Sequence, residues 1–586
     1  MCSIIGYYGK NSAAPIMVKG LKRMEYRGYD SVGVATEANQ KIEVRKGVGK
    51  VSEVNDSEKL DKLPGRIGIG HTRWATHGKV TALNAHPHSS TSGKIAIVHN
   101  GIIENFNELK EELEKDGFTF VSETDSEVIA NLLQQNYNQT SNVKKSIIKT
   151  VSKLKGHYAF VAMFENGILA AARYHEPMII GIGKDDYFLS SDVLGFIEKT
   201  DDAIYIDNGN FVILDSSGMQ ICDFEGTPVK HQITKVSKEF ADAYKGDYAH
   251  FTLKEISEQP ETILNAGKKT ESAIEQTADF IKHAKNVYMT GSGTSYNAAL
   301  VAKYLMSKYA KVKIEPIISS ELPTLHDSIE PNSILIAISQ SGESADVLEA
   351  VNMAKKSNAK ILAIANHKNS ALVHESSLFI GMNCGPEVGV AATKSFTSQL
   401  AIIYKITEKL CEGCLDLDFK EVSNSISKIL SNHSKIQSIA KELKNVSDIY
   451  VLGRGIHYPI ASEAALKLKE LTYIHAEGIP GGELKHGPLA LMDSNVYVII
   501  INPNDSTYTD TLTSAREIKA RGAKIIGISD KNSDVYDHWI EIPSIKESMF
   551  PLIEIISIQL LSYYSAVEKD TDPDYPRNLA KSVTVK

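Results

Sequence analysis

Cysteine is scarce in this chain, with five residues in 586: Cys2, Cys222, Cys384, Cys411 and Cys414. An odd, scattered set argues against a disulfide framework and fits a reducing compartment. A structural zinc site is disfavoured too. Cys411-Glu412-Gly413-Cys414 has the spacing of half a site, no second pair completes it, and a helix end beside a glycine is expected there. No uninterrupted apolar run approaches the ~18–20 residues of a membrane-crossing helix. The richest stretch, Leu552 to Val567, holds Glu554 and Gln559 and predicts an amphipathic helix. No lysine or arginine block stands out, and 64 basic against 72 acidic residues leave a net charge of −8. That balance argues against a nucleic-acid partner and requires any anion to be bound locally. With no signal-peptide pattern, a cytoplasmic location is expected.

What is present begins at the second residue. The chain is too long for one core, so two to four domains are expected. If Met1 is removed, Cys2 carries both a thiol and an α-amine whose ordinary pKa is roughly 7.7–8.0. Nucleophile and general base then sit in one residue.

Short β-branched runs dominate up to residue 235, among them Ser3-Ile4-Ile5, Ile67-Gly68-Ile69 and Lys94 to Val98, with helical stretches such as Glu127 to Gln135 between them. The pattern predicts packed sheets with flanking helices. Polar clusters are expected at strand ends: His71-Thr72-Arg73-Trp74-Ala75-Thr76-His77-Gly78, His99-Asn100-Gly101, and Ser122 to Glu127 entering a helix. These supply what amide hydrolysis by a thiol requires. Arg73 can grip a carboxylate through paired hydrogen bonds, Asp125 can hold an ammonium, and the Asn100 side chain with the Gly101 N–H can stabilise an oxyanion.

Together with Tyr26 to Ser31, Asn84-Ala85-His86-Pro87-His88 and His99 to Asn105, these motifs resemble the N-terminal-nucleophile glutamine amidotransferases, most nearly the glutaminase domain of the glucosamine-6-phosphate synthase family. The resemblance implies a four-layered αββα fold that releases ammonia from glutamine. It makes Cys2 the nucleophile, Arg73 and Asp125 the binders of the glutamine carboxylate and amine, and Asn100 with Gly101 the oxyanion hole. It makes Trp74 a gate toward the ammonia passage and gives Thr76, His77 and His86 supporting places.

Beyond a charged linker at 236–259 the chain repeats itself. Asn286-Val287-Tyr288-Met289-Thr290-Gly291 parallels Asp448-Ile449-Tyr450-Val451-Leu452-Gly453, and Ala359 to Ile364 parallels Ala523 to Ile528. Strand and helix alternate in each unit, which predicts parallel-sheet α/β halves at 260–425 and 426–570. Ligands of such sheets bind beyond the strands' carboxyl ends. Gly291 to Ser295 and Ser339-Gln340-Ser341-Gly342-Glu343-Ser344 offer hydroxyls and backbone N–H groups for a phosphate there. The corresponding second-half loop, Asn502 to Tyr508, carries a proline and an aspartate that would repel phosphate, so the halves are expected to be unequal.

The halves resemble a tandem of flavodoxin-like sugar isomerase domains, which extends the likeness over nearly the whole chain. It implies that Ser295, Ser339, Gln340, Ser341 and Ser344 bind a phosphosugar, with the Val390-Ala391 backbone nearby. Serine at 344, where relatives often have threonine, keeps the hydroxyl.

Converting a ketose phosphate and ammonia to an aldose amine requires ring opening, imine formation and proton transfer from C1 to C2. Glu470 is the candidate base, Lys467 a supporting charge, and His486, on a glycine-flanked loop, the ring-opening group. The tail 571–586 matches the family's terminal motif, which makes Lys581 the imine former. The full expectation is glucosamine 6-phosphate from fructose 6-phosphate and glutamine, at the entry to UDP-N-acetylglucosamine synthesis, with no metal or cofactor. In the family the His486 loop serves a neighbouring subunit, which implies a homodimer. A related amidotransferase on another phosphosugar, a deaminase and a phosphosugar sensor remain alternatives; a functional glutaminase argues against the deaminase, and Glu470, His486 and Lys581 argue against the sensor.

Overall fold

The computed structural model describes residues 2–74, 78–236, 245 and 247–583, with Tyr26 described along its backbone only. The chain divides into two compact units, one of residues 1–242 with 582–586 and the other of residues 243–581.

In the first unit, alternation along short strands builds the layers. Within Ser3–Tyr8, Ile5 and Tyr7 pack with Ala13, Met17 and Leu21 of the helix Ala13–Arg23, while Ile4 points the other way, into a core with Ala96, Val98 and Val161. Ala96 and Val98 belong to Ile95–Ile103, whose Ile95 and Ile97 face Val128, Leu132 and Leu133 of the helix Glu127–Thr140. Helix, eight-stranded sheet, six-stranded sheet and helix follow one another, an αββα sandwich. Each fully buried isoleucine contributes about 1.5–3 kcal/mol to holding it. Antiparallel register pairs Ser3 with Thr72, which sets Cys2 beside Arg73 and Trp74. Two polar clusters begin inside their strands rather than after them: Ile67–Arg73 takes in His71, Thr72 and Arg73, and Ile95–Ile103 runs on through His99, Asn100 and Gly101, whereas Ser122 to Ser126 leads into the helix Glu127–Thr140 as expected. The extended backbone is kept because both neighbouring strands continue the pairing.

The second unit holds two five-stranded parallel sheets. In the first, Val287–Gly291, Glu315–Ile318, Ile334–Ser339, Lys360–Ala365 and Leu378–Gly381 lie in the spatial order second, first, third, fourth, fifth. The second sheet, from Asp448–Gly453 to His538–Glu541, repeats it. This is the flavodoxin-like order, with its switch point between the first and third strands.

Three expectations need correction here. The helix Pro551–Glu568 is buried nearly all round rather than amphipathic. Its two long polar side chains are tolerated because they are paired: Glu554 meets His457, and Gln559 accepts from Gln259 at 2.7 Å and donates to the Thr393 carbonyl at 3.3 Å. The expected linker 236–259 is not all linker. Phe251–Ser257 is helical, and the Asp574 carboxylate accepts from the N–H groups of Phe251 and Thr252 at 2.9 and 2.8 Å, fixing that helix's start to the C-terminal tail. Finally, Cys411 and Cys414 do end a helix, Lys394–Leu410, but they are joined as a disulfide. Left-handed backbone at Glu412 and Gly413 turns the chain back and leaves the two Cα atoms 5.5 Å apart, within bridging range. With Glu408 they form the single cluster of three possible metal donors among the described residues.

Candidate active sites

In the first unit, Cys2 lies just ahead of its strand. Its Sγ accepts the Trp74 N–H at 3.2 Å and lies 3.5 Å from the Trp74 carbonyl. Burial pushes the thiol's pKa up, against the opposing pull of the Trp74 amide and Arg73. The protonated thiol therefore needs a base. The Asn100 Nδ2 donates to the Cys2 carbonyl at 3.1 Å, so the carboxamide stands beside the sulfur's own residue. Gly101 has φ +113°, and a Cβ there would lie 2.0 Å from the His157 carbonyl oxygen. Only glycine fits that backbone.

Arg73 is buried, tied to the Lys79 and Gly78 carbonyls at 3.2 and 3.4 Å, and burial works against its charge while Cys2, Asp30 and Asp125 favour it. Asp125 is buried as well, accepting the Ile103 N–H at 2.7 Å. Trp74 meets Tyr29 edge-on at 5.7 Å. His86 is enclosed between the rings of His71 and His88, at 4.1 and 4.5 Å, and burial holds its pKa well below the ordinary value. Thr76 and His77 lie outside the described residues.

In the second unit, the predicted loops follow the first and third strands of the first sheet, at its switch point. Ser339 and Ser344 hydroxyls lie 3.2 Å apart, Ser339 Oγ accepts the Gly342 N–H at 3.0 Å, and Ser341 Oγ accepts from Glu343 at 3.1 Å. Ser344 caps the helix Ala345–Lys356, whose positive end therefore faces the loop, and Gln340 lies between the two serines. Ser295 opens the helix Thr294–Leu305 and accepts from Gln399 at 3.2 Å.

The helix His457–Thr472 supplies Glu463, Lys467 and Glu470 at helical spacing. Lys467 is fully buried, ion-paired with both carboxylates and 3.2 Å from the Thr294 hydroxyl next to Ser295. Glu463 also accepts from Thr294 and Asn297 at 2.9 and 2.8 Å, and burial raises its pKa. Second-half side chains thus reach the first-half site.

Lys581 is ordered and enclosed. Its side chain is 4% exposed, with Nζ 2.6 Å from Glu387 and 2.8 Å from the Gly389 carbonyl. Glu387 also accepts from Thr393 and Ser395, and the Lys581 ammonium together with these N–H groups outweighs burial and lowers its pKa to about 2. Beside it, Glu255 accepts the Val388 and Gly389 amides at 2.5 and 3.2 Å, and burial near Glu387 raises its pKa to about 8. Val390 N–H donates to Asp574, and Ala391 is buried. Helix Lys394–Leu410 ties these groups together: Ser395 holds Glu387 and, one turn on, Gln399 reaches Ser295. His486 does not join them. It is exposed on the turn Gly481–His486, with no hydrogen-bond partner among the described residues.

Sequence reasoning missed Glu387, Glu255 and Glu463. Glu463 was within reach, since 463, 467 and 470 share one helical face. Glu387 offered no local signal; its partner arrives from 194 residues away.

At the second sheet's switch point, the crevice is filled from within. Asp505, in the loop after Tyr497–Ile501, lies 3.0 Å from His457 Nε2, while Glu554 lies 2.8 Å from Nδ1. All three are buried, and despite desolvation the two carboxylates raise the imidazole pKa to about 10. The aspartate expected to repel phosphate instead holds an internal cation.

Comparison with known proteins adds the following. The glutamine amidotransferase domain family matches residues 71–196, and the SIS domain family matches 280–408 and 442–569. Proteins named glutamine–fructose-6-phosphate aminotransferase (isomerizing) align over the full length of both chains, with 42% identity in Pyrococcus horikoshii, 40% in Aquifex aeolicus and 38% in Bacteroides thetaiotaomicron. Among solved structures, the C-terminal domain of glucosamine-fructose-6-phosphate aminotransferase from Francisella tularensis covers 56% of this chain and 99% of its own, at 35% identity and a TM-score of 0.51. Tagatose-6-phosphate ketose/aldose isomerase from Escherichia coli, at 20% identity and a TM-score of 0.50 over 56% of this chain and 95% of its own, shares the fold.

Proposed function

Given that the chain belongs to the glutamine–fructose-6-phosphate aminotransferase (isomerizing) family, we propose that its first unit hydrolyses glutamine and its second uses the ammonia to convert fructose 6-phosphate to glucosamine 6-phosphate. Cys2 Sγ attacks the glutamine carboxamide carbon, with its proton taken by the α-amine that Met1 removal exposes. Asn100 Nδ2 and the Gly101 N–H stabilise the tetrahedral oxyanion, a role worth about 10²–10³ in rate per donor. Arg73 and Asp125 hold the substrate's carboxylate and amine. Collapse expels ammonia, and water then cleaves the thioester to glutamate.

In the second unit, the 339–344 loop and Ser295 hold the sugar phosphate, and His486 moves the ring-opening proton. Lys581 forms an imine at C2, which ammonia displaces. Glu470 then carries a proton from C1 to C2, leaving an aldehyde at C1 and an amine at C2. Exposure of His486 suits a homodimer in which it serves the neighbouring subunit's sugar. A mixture of Glu470→Gln and His486→Asn chains that regains activity absent from either alone supports that arrangement.

One observation carries the reading: Lys581, near the chain's end, is buried against Glu387 in the unit that holds the phosphate loop. Borohydride reduction in the presence of fructose 6-phosphate tests it. A hexose phosphate adduct should map to Lys581 in the parent and in Cys2→Ala, while Cys2→Ala alone loses glutamine-dependent synthesis. No adduct, or an adduct on another lysine, refutes the imine assignment.

A further inference from the structure

Asn100 can serve the oxyanion only if its carboxamide is turned the right way, with Nδ2 and not Oδ1 toward Cys2. We propose that His71 is the positioning residue that fixes this orientation through its Nε2–H. His71 is fully buried on Ile67–Arg73, and its Nε2 lies 3.0 Å from the His99 carbonyl and 3.1 Å from Asn100 Oδ1. A backbone carbonyl can only accept, so His99 requires the hydrogen to be on Nε2. The same hydrogen then requires an acceptor at the neighbouring Asn100 atom, which must be Oδ1. Nδ2 is left on the opposite side, where it meets the Cys2 carbonyl at 3.1 Å. Both ends of the carboxamide are therefore specified, one by the nucleophile's own backbone and the other by an imidazole.

The ring is itself held. His86 packs against it at 4.1 Å and is backed by His88 at 4.5 Å. Three imidazoles can share so small a volume only when uncharged, and burial lowers the His71 pKa to about 3 and the other two well below the ordinary value. A neutral His71 with hydrogen on Nε2 leaves its Nδ1 an acceptor, and that buried atom has no partner among the described residues.

Side-chain geometry supplies the test. Glutamine at 71 places an amide N–H close to the position of Nε2; methionine fills a similar volume and has no hydrogen to give. Glutaminase kcat is expected to fall about 10²-fold in His71→Met with the glutamine KM within about threefold, whereas His71→Gln stays within about tenfold of the parent. Added to Asn100→Ala, His71→Met should cost no further activity, because the group it positions is gone. Ammonia-driven synthesis by the second unit reports the integrity of the chain throughout. If the methionine variant does not fold, His71→Asn, whose amide lies near the Nδ1 position, serves as the comparison lacking the donor. Equal loss in the glutamine and donor-free variants, a rise in KM with kcat unchanged, or multiplying penalties in the double variant would each overturn the proposal.

Discussion

Acidification to pH 5 should destabilise the first unit far more than the second, through its buried imidazoles. His71, His86 and His88 are neutral in the folded unit, pressed down by burial, with neighbouring cationic charge opposing protonation further. Unfolded, each titrates near 6.5. The folded pKa is the lower, so stability is fully present above about pH 6.5 and is lost as pH falls toward the folded value, because only the unfolded chain gains the proton. For His71, with a folded pKa of about 3, moving from pH 7 to pH 5 costs about 2 kcal/mol. His86 and His88 are lowered by burial as well and act in the same direction. His99 is also lowered by burial and acts in the same direction. In a unit of this size about 1 kcal/mol shifts the midpoint by ~2–4 °C, so His71 alone should lower it by about 4–8 °C. Calorimetry of the full chain at the two pH values measures it, with loss of glutaminase activity marking the first unit's transition. His88→Gln, which keeps a polar group toward Thr124 (3.1 Å from His88 Nε2 in the parent), should weaken the pH dependence. A parent transition that moves by less than about 4 °C, or a glutamine variant with an unchanged slope, refutes the reasoning.

Two further outcomes are expected. Replacing His457 by leucine leaves Asp505 and Glu554 buried without their cation and should cost about 3–5 kcal/mol, read from denaturant unfolding at pH 7. With the imidazole raised to about 10, its contribution is complete below about pH 6.5 and disappears as pH climbs through 10, so parent and variant should converge in alkali. Glu387→Gln removes the carboxylate that holds Lys581, and borohydride trapping of fructose 6-phosphate should slow by at least about tenfold with glutaminase turnover unchanged; undiminished trapping would separate the pair from the chemistry.

Much of this was legible in the residues alone. The repeat marked two equal sheets because strand cores are written as near-continuous apolar runs, and the loops that follow their first and third strands carried the hydroxyls. Local pattern failed wherever distant partners decide a residue's fate. Glu554 and Gln559 look like the wet side of Leu552 to Val567, yet they are buried because His457 and Gln259 meet them. Lys581 reads as a frayed end until Glu387 is placed beside it. His71 and Asn100 belong to separate motifs on different sheets, and only the face-to-face packing of those sheets brings them within 3.1 Å.

The occupied crevice of the second half has a consequence for stoichiometry. Two sheets of the same lineage need not titrate as two receptors, because one already contains its own counter-ion, Asp505 against His457. A phosphorylated hexose should therefore saturate each polypeptide at one equivalent, and the duplicated module contributes leverage, reaching across to Thr294 of its twin with Glu463 and Lys467.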